Sequence, residues 1–332
     1  MVEYDVEFNS GAFYPAAATV ELAKVAEDAG FGAVWKGESN STDPIVLLSA
    51  MAAETKSIKL GTAIYHVFGR SPVTLGIQAA TLQDLSGGRV ILGLGVANTN
   101  IASWHGGAFD RPIRRIREYA EVVRLVASGE RVEYDGETET VHGFRLSWRP
   151  SFPRVPIYFA GLGDQMTRQA GRLADGVIVN LANPTKIREI VGRVRKGAES
   201  AGRDPAELEY VIKVRCSVHK DREQARSRLK QVLTFYNLAD YYRDMLVAMG
   251  FGGESAAIGE AYRQGGFRAA IAAVPDSMLE GLPLIAATSV EEARDRLQPY
   301  VEAGATRLDI PYVPVTEDVV GETREFLRQW RT

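Results

Sequence analysis

One cysteine, Cys216, stands in 332 residues, so no internal disulfide can brace the fold. It sits in a stretch that reads as a strand, which points to a buried, inert thiol. Histidine is almost as scarce. His66, His105, His142 and His219 are scattered. No pair has helical ligand spacing, no acidic cluster accompanies them, and no protein-built metal site is expected. An excess of charge of one sign is missing too: 39 basic against 42 acidic residues leave a net charge of −3. That gives no electrostatic reason to expect nucleic acid or an anionic membrane as a partner. No apolar run is long enough to span a bilayer. No basic stretch leads into an apolar core at the N-terminus, so no signal peptide is expected and the cytoplasm is the expected compartment. No G-x-S-x-G nucleophile motif appears. No strand-to-helix turn carries G-x-G-x-x-G either: Asn98 follows Gly93-Leu94-Gly95 where the third glycine would stand.

What is present is a regular alternation of short apolar runs and amphipathic stretches. Val2–Phe8 reads as a strand, Thr19–Ala29 as a helix stopped by Gly30, and Ala33–Lys36 as a second strand. Asp43-Pro44 opens a helix with an acidic cap and proline at its first position. Ile58–Ile64, Pro72–Leu85 and Val90–Leu94 make a strand–helix–strand unit, with Ser86-Gly87-Gly88 ending its helix. Ile113–Ala127 is a long amphipathic helix. Glu130–Tyr134 and Glu137–Val141, around Asp135-Gly136, read as a hairpin excursion. The rhythm resumes with strands at Pro156–Ala160, Gly176–Asn180, Glu209–Val218 and Thr306–Ile310. Helices are expected at Asp164–Leu173, Pro184–Ala201 and Thr316–Trp330, and a mainly helical stretch over 221–300. Eight strands with helices between them predict one α/β domain over 1–332, a (β/α)₈ TIM barrel with insertions near 128–150 and 221–300. A doubly wound sheet is the alternative.

In parallel sheets the chemistry gathers where the strands end. Glu38 follows the second strand, where a carboxylate can accept from a cofactor ring or move a proton; a solvated loop acid is the plainer reading. His66 follows the third strand and could donate to a ring carbonyl. Asn98 follows the fourth, with an amide that donates and accepts, or simply caps a turn. Trp104, His105 and Phe109 lie in the loop beyond it. Ala160-Gly161-Leu162-Gly163 runs from a strand into a helix, and backbone N–H groups there would face a phosphate, with Asp164 an awkward neighbour.

These segments resemble the bacterial luciferase-like superfamily, and within it the branch that uses the deazaflavin coenzyme F420. The resemblance rests on AEDAGFGAVWKGE, DPIVLLSAMAAETKSIKLGTAI, RSPVTLGIQAATLQDLSGGRVILGLGVAN, VPIYFAGLGDQMTRQAGRLADGVIVN and SVEEARDRLQPYVEAGATRLDI, which together cover nearly the whole chain. It is close to the methylene-tetrahydromethanopterin reductase group. The resemblance implies a luciferase-like barrel and an oxidoreductase that moves hydride between the deazaflavin and a small organic substrate. It implies a catalytic and cofactor role for Glu38 and His66. It implies a non-prolyl cis peptide and bulge at Ala63-Ile64 behind the ring, Asn98 facing the ring, and phosphate at Ala160, Gly161, Leu162 and Gly163. Asn9 and Phe13, after the first strand, would wall the substrate side, with Phe235, Tyr236 and Tyr241 opposite. The family's sugar-phosphate dehydrogenases place His directly after the strand-two acid; here that residue is Ser39. A reductase is therefore the expectation. The alternatives are an FMN-dependent monooxygenase on the same barrel and a non-catalytic ligand-binding member. A homodimer is expected through the helices that begin at Pro44 and Pro72, using Val46, Leu47, Ala50, Met51, Leu75, Ala79 and Leu82.

Overall fold

The computed structural model describes residues 2–8 and 13–331. Thirteen strands are assigned among them. They are β1 (Glu3–Glu7), β2 (Ala33–Lys36), β3 (Lys59–Thr62), β4 (Tyr65–His66), β5 (Val90–Gly95), β6 (Val132–Asp135), β7 (Thr140–Phe144), β8 (Ile157–Ala160), β9 (Gly176–Val179), β10 (Glu209–Lys213), β11 (Arg215–Val218), β12 (Leu284–Ala287) and β13 (Arg307–Pro311). Eight of them run parallel in the order β3-β2-β1-β13-β10-β9-β8-β5, and pairing of β3 with β5 closes the barrel. This is the TIM-barrel architecture expected from the alternation. β4 continues beyond β3 after a break at Ala63 and Ile64, and pairs with the end of β5.

Local chemistry sets many boundaries. Asp43 accepts the Val46 N–H at 3.0 Å and Ser71 accepts the Thr74 N–H at 3.1 Å, each just before a proline at the first helical turn. Those helices, Pro44–Glu54 and Pro72–Leu85, pack apolar faces on the barrel wall: Leu47, Met51, Leu75, Ala79 and Leu82 are buried within this chain. Most of the face expected to form a dimer is thus spent internally, because the barrel wall needs it. Val46, Ala50, Ile77 and Leu85 remain exposed.

Three expectations are corrected. The stretch 209–218 is two strands, because Val214 turns the chain out of the barrel and β11 pairs with β12, a strand inside the segment expected to be mainly helical. The hairpin pairs Val132 with Phe144 and Asp135 with Thr140, leaving residues 136–139 as its turn. Glu118 fixes that turn: its Oε2 accepts from Thr138 N and Oγ1, both at 2.7 Å, and from Glu139 N at 3.2 Å. The barrel axis is charged as well as apolar. Trp35, Ile91, Tyr158, Ile178 and Val211 pack inside it. Below the mouth, Arg307 binds Asp5 through two N–H groups at 2.7 and 2.8 Å, and Trp35 Nε1 donates to the same carboxylate at 3.0 Å. Gly61 leaves room for Trp35, since a Cβ there would lie 2.2 Å from the indole. Cys216 is buried, and burial pushes its thiol up to about 12.

Candidate active site

The break between β3 and β4 organises the C-terminal end of the barrel. The Ala63–Ile64 peptide bond is cis, as the resemblance implied. The Ile64 carbonyl accepts the Glu38 N–H at 2.9 Å, so the residue after β2 is fixed against the break. The carboxylate then bridges two partners. Its Oε2 accepts the His66 backbone N–H at 3.1 Å, and its Oε1 takes the Arg70 guanidinium. Arg70 also lies over the Tyr65 ring, 4.1 Å from the centroid, while Tyr65 donates to Asp43 at 2.9 Å. Tyr65 and Arg70 are thereby pre-set from both sides, and with them the carboxylate of Glu38.

His66 has its backbone and one ring nitrogen close to the same carboxylate; Nε2 lies 3.1 Å from Oε2. The ring is 1% exposed, yet neither ring nitrogen makes an aligned hydrogen bond among the described residues. Burial, with help from His105 and Arg70 nearby, pulls His66 down to about 4, so the ring is neutral near pH 7. Glu38 moves the other way: burial raises it, against the His66 N–H and Arg70. His105 packs edge-on against His66, with ring centroids 4.4 Å apart. Donor atoms of Glu38, His66 and His105 lie within 4.8 Å of one another, a juxtaposition invisible in their spacing along the chain. The guanidinium already seated on Glu38 competes with any cation there. A cavity of about 350 Å³ opens beside Arg70, lined also by Phe68, Ser71, Arg115 and Glu139.

The other candidates divide. Ala160, Gly161, Leu162 and Gly163 do form the β8-to-helix turn. Gly161 is held to a bare backbone, since a Cβ would meet Met166 at 2.2 Å, whereas Gly163 is open. Asp164 is neutralised by Arg168 at 3.0 Å and Arg193 at 3.5 Å, which removes the objection to an anion at this turn. Burial raises the Tyr241 phenol, and the Leu162 backbone beside it offsets part of that rise. Asn98 spends its side chain as a helix cap, accepting the Ile101 N–H at 3.0 Å, the plainer of its two readings. Phe13 is 68% exposed, and Asn9 lies outside the described residues. Tyr236, Tyr242 and Tyr241 follow one another edge-to-face at 4.6 and 5.5 Å, with Phe235 6.1 Å from Tyr236. Arg215 reaches them from the barrel, donating to Asn180 Oδ1 at 2.8 Å and to the Tyr236 phenol.

Arg70, Glu7, Lys213 and Asp309 belong to this region and are absent from the sequence-based candidates. Lys213 Nζ donates to Glu7 Oε2 at 2.8 Å and to the Ala63 carbonyl at 3.3 Å, tying the barrel axis to the break. The readable signal for three of them is a charge at an inward position of an apolar strand, as in YDVEF, YVIK and RLDI.

Comparison with known proteins follows this geometry. The family model described as luciferase-like monooxygenase matches residues 5–307. The 5,10-methylenetetrahydromethanopterin reductase of Methanopyrus kandleri is 31% identical over 307 residues, 86% of each chain. That of Archaeoglobus fulgidus is 31% identical over 213 residues, so this chain spans 64% of that relative. The solved structure of the coenzyme F420-dependent tetrahydromethanopterin reductase from Methanopyrus kandleri superposes with a TM-score of 0.86 at 25% identity. The match covers 99% of this chain and 98% of that one.

Proposed function

The chain belongs to the luciferase-like monooxygenase family, and from that premise we propose its reaction: hydride moves between coenzyme F420 and a small organic substrate, in the reducing direction. It is an oxidoreductase, and its cofactor is coenzyme F420, as named for the related solved structure and for a related putative oxidoreductase of Mycobacterium tuberculosis, 26% identical over 87% of this chain. When bound, that cofactor supplies a ring carbon that gives or takes a hydride.

The observation that carries the reading is His66: a buried, neutral imidazole with no aligned partner, set beside Glu38, Arg70 and the Ala63–Ile64 break. A buried polar ring without a partner is unfavourable unless something arrives to bond it. The polar edge of a deazaflavin fits that need. Ala63 and Ile64 would back the ring. Glu38 would hold the His66 backbone and Arg70 in place. The open turn at Ala160, Gly161, Leu162 and Gly163 would take the cofactor phosphate, with Arg168 and Arg193 balancing Asp164. Asn98 holds the strand-four loop in shape by capping its helix. Phe13 and the tyrosines at 236, 241 and 242 would bound the substrate. Ser39, where a histidine would serve alcohol or sugar oxidation, supports reduction. Glucose-6-phosphate dehydrogenases also match, at 30% identity over 62% of this chain, so direction is the finer part of the proposal.

The test is a fluorescence titration with coenzyme F420 and with FMN. Tight binding of the deazaflavin and weak binding of FMN is expected. Micromolar FMN affinity with no response to coenzyme F420 would overturn the reading in favour of a monooxygenase. Binding without turnover by either reduced cofactor would instead support a ligand-binding protein. We extend the proposal to one domain over 1–332, a cytoplasmic location and a homodimer on the exposed Val46, Ala50, Ile77 and Leu85; sedimentation as a monomer at micromolar concentration would refute the dimer. Among the described residues no helix is long and apolar enough to cross a membrane.

A further inference from the structure

Asp309 is the odd group of the barrel axis. It is 0% exposed, and neither of its carboxylate oxygens has a hydrogen-bond partner among the described residues. One cation lies within 4 Å of it, Lys213 Nζ at 3.6 Å, and that ammonium already donates to Glu7 and to the Ala63 carbonyl. The neighbouring carboxylate, Asp5, is taken by Arg307 and Trp35. Other charges face the same space: Lys36 on β2, whose ammonium donates to the Phe8 carbonyl, and Arg215 on β11, bonded to Asn180 and Tyr236. A bare carboxylate in this position would be desolvated without donors, next to Glu7 and Asp5.

Depth along the axis is set by strand register. Asp309 pairs with Asp5 and with Lys213, in one layer. Glu7 pairs with Pro311, two residues nearer the C-terminal mouth. Lys213 therefore touches one carboxyl in its own layer and one nearer the candidate site. We propose that Asp309 is a proton store for this site and that Lys213 is the positioning residue that passes its proton to Glu7. In the step, the Lys213 ammonium gives a proton to the Glu7 carboxylate, and the Asp309 carboxylic acid returns one to Lys213. One O–H bond breaks at Asp309 and one forms at Glu7; lysine ends unchanged, and no electrons move. Burial holds Asp309 well above the usual carboxylate range, with Glu7 and Asp5 reinforcing it against the pull of Lys213. The use of this proton during hydride transfer rests on the proposed function; its storage does not.

The ligand-free protein tests storage directly. Infrared spectra at neutral pH should show a protonated-carboxyl C=O band in the wild type that is missing in Asp309→Asn. No such band in the wild type, or the same band in the variant, overturns the proposal. Asparagine keeps the shape and neutrality of a protonated aspartate, so this variant is expected to fold; Lys213→Met is checked for folding by circular dichroism first. With coenzyme F420 bound, Asp309→Asn and folded Lys213→Met should lose roughly a hundredfold in single-turnover hydride transfer. Asp309→Asn should keep its cofactor affinity, and the fall of the rate with rising pH, which follows loss of the Asp309 proton in the wild type, should be missing. Full rate in Asp309→Asn refutes the relay. If the wild type binds no deazaflavin, the proposed function has failed, and the store is judged on the infrared result alone.

Discussion

Replacing His66 by Asn converts the unusual environment of this ring into a measurable pH dependence. In the folded protein His66 titrates at about 4, against 6.5 for an ordinary histidine. Between those values the unfolded chain holds the proton and the folded chain does not. Stability attributed to the neutral ring is therefore fully present above pH 6.5 and is lost progressively as the pH falls to 4. The distance between 6.5 and about 4 corresponds to roughly 3 kcal/mol as an upper bound. Glu38 opposes this. Its pKa is raised, so the folded state gains protons ahead of the unfolded one just above the ordinary glutamate range, and acidification favours folding there. The two groups are 3.1 Å apart, so they must be measured as a pair. Urea denaturation across pH 4 to 7, on wild type, His66→Asn, Glu38→Gln and the double variant, separates them. The wild type should lose more stability on acidification than His66→Asn does. The His66 Cε1 proton resonance should stay at its neutral position until near pH 4. An imidazole that titrates at 6.5 or above in the folded protein would refute the reasoning, and with it the view of His66 as a neutral group awaiting a partner.

Other substitutions probe the frame. Trp35→Ala should destabilise by about 3–5 kcal/mol in denaturant titrations, because it empties the axis and leaves Asp5 short of a donor. Gly93→Ala should destabilise by about 1–3 kcal/mol, since a Cβ there would lie 2.0 Å from the Thr62 carbonyl in the neighbouring strand. Glu118→Ala should leave the barrel intact but raise amide hydrogen exchange at Thr138 and Glu139, and unchanged exchange there would contradict the role of Glu118 in that turn.

The legible parts of this fold are those governed by local chemistry. Pro72–Leu85 and Asp164–Leu173 begin and end where capping residues, proline and glycine dictate, and the structure agrees to the residue. Ala33–Lys36 likewise needs only a short apolar run. β12 was illegible because its four residues sit among helix formers and gain strand structure only from β11, nearly seventy residues away in sequence. The split of residues 209–218 has the same cause, since an apolar run carries no mark of where it leaves one sheet for another. In the site, Glu38 and His66 could be placed by their positions at strand ends, and the Ala63–Ile64 break only through the family resemblance. Arg70 could not, because its role depends on folding back over Tyr65. The charges of the axis could be read only once Asp5, Glu7, Lys213 and Asp309 were known to face inward, which depends on closure of the barrel.

That closure has a consequence for synthesis on the ribosome. β1 is made well before its partner β13; Asp5 and Arg307 are separated by 302 positions. At translation rates of about 5–20 residues per second, β1 waits roughly fifteen to sixty seconds for that neighbour. Throughout this interval it presents an open strand edge, and the Asp5 carboxylate lacks the guanidinium that meets it in the finished barrel. Nascent chains shorter than Arg307 should accordingly be held by chaperones or degraded rather than accumulate as a half barrel. The barrel closes only when β1 meets β13.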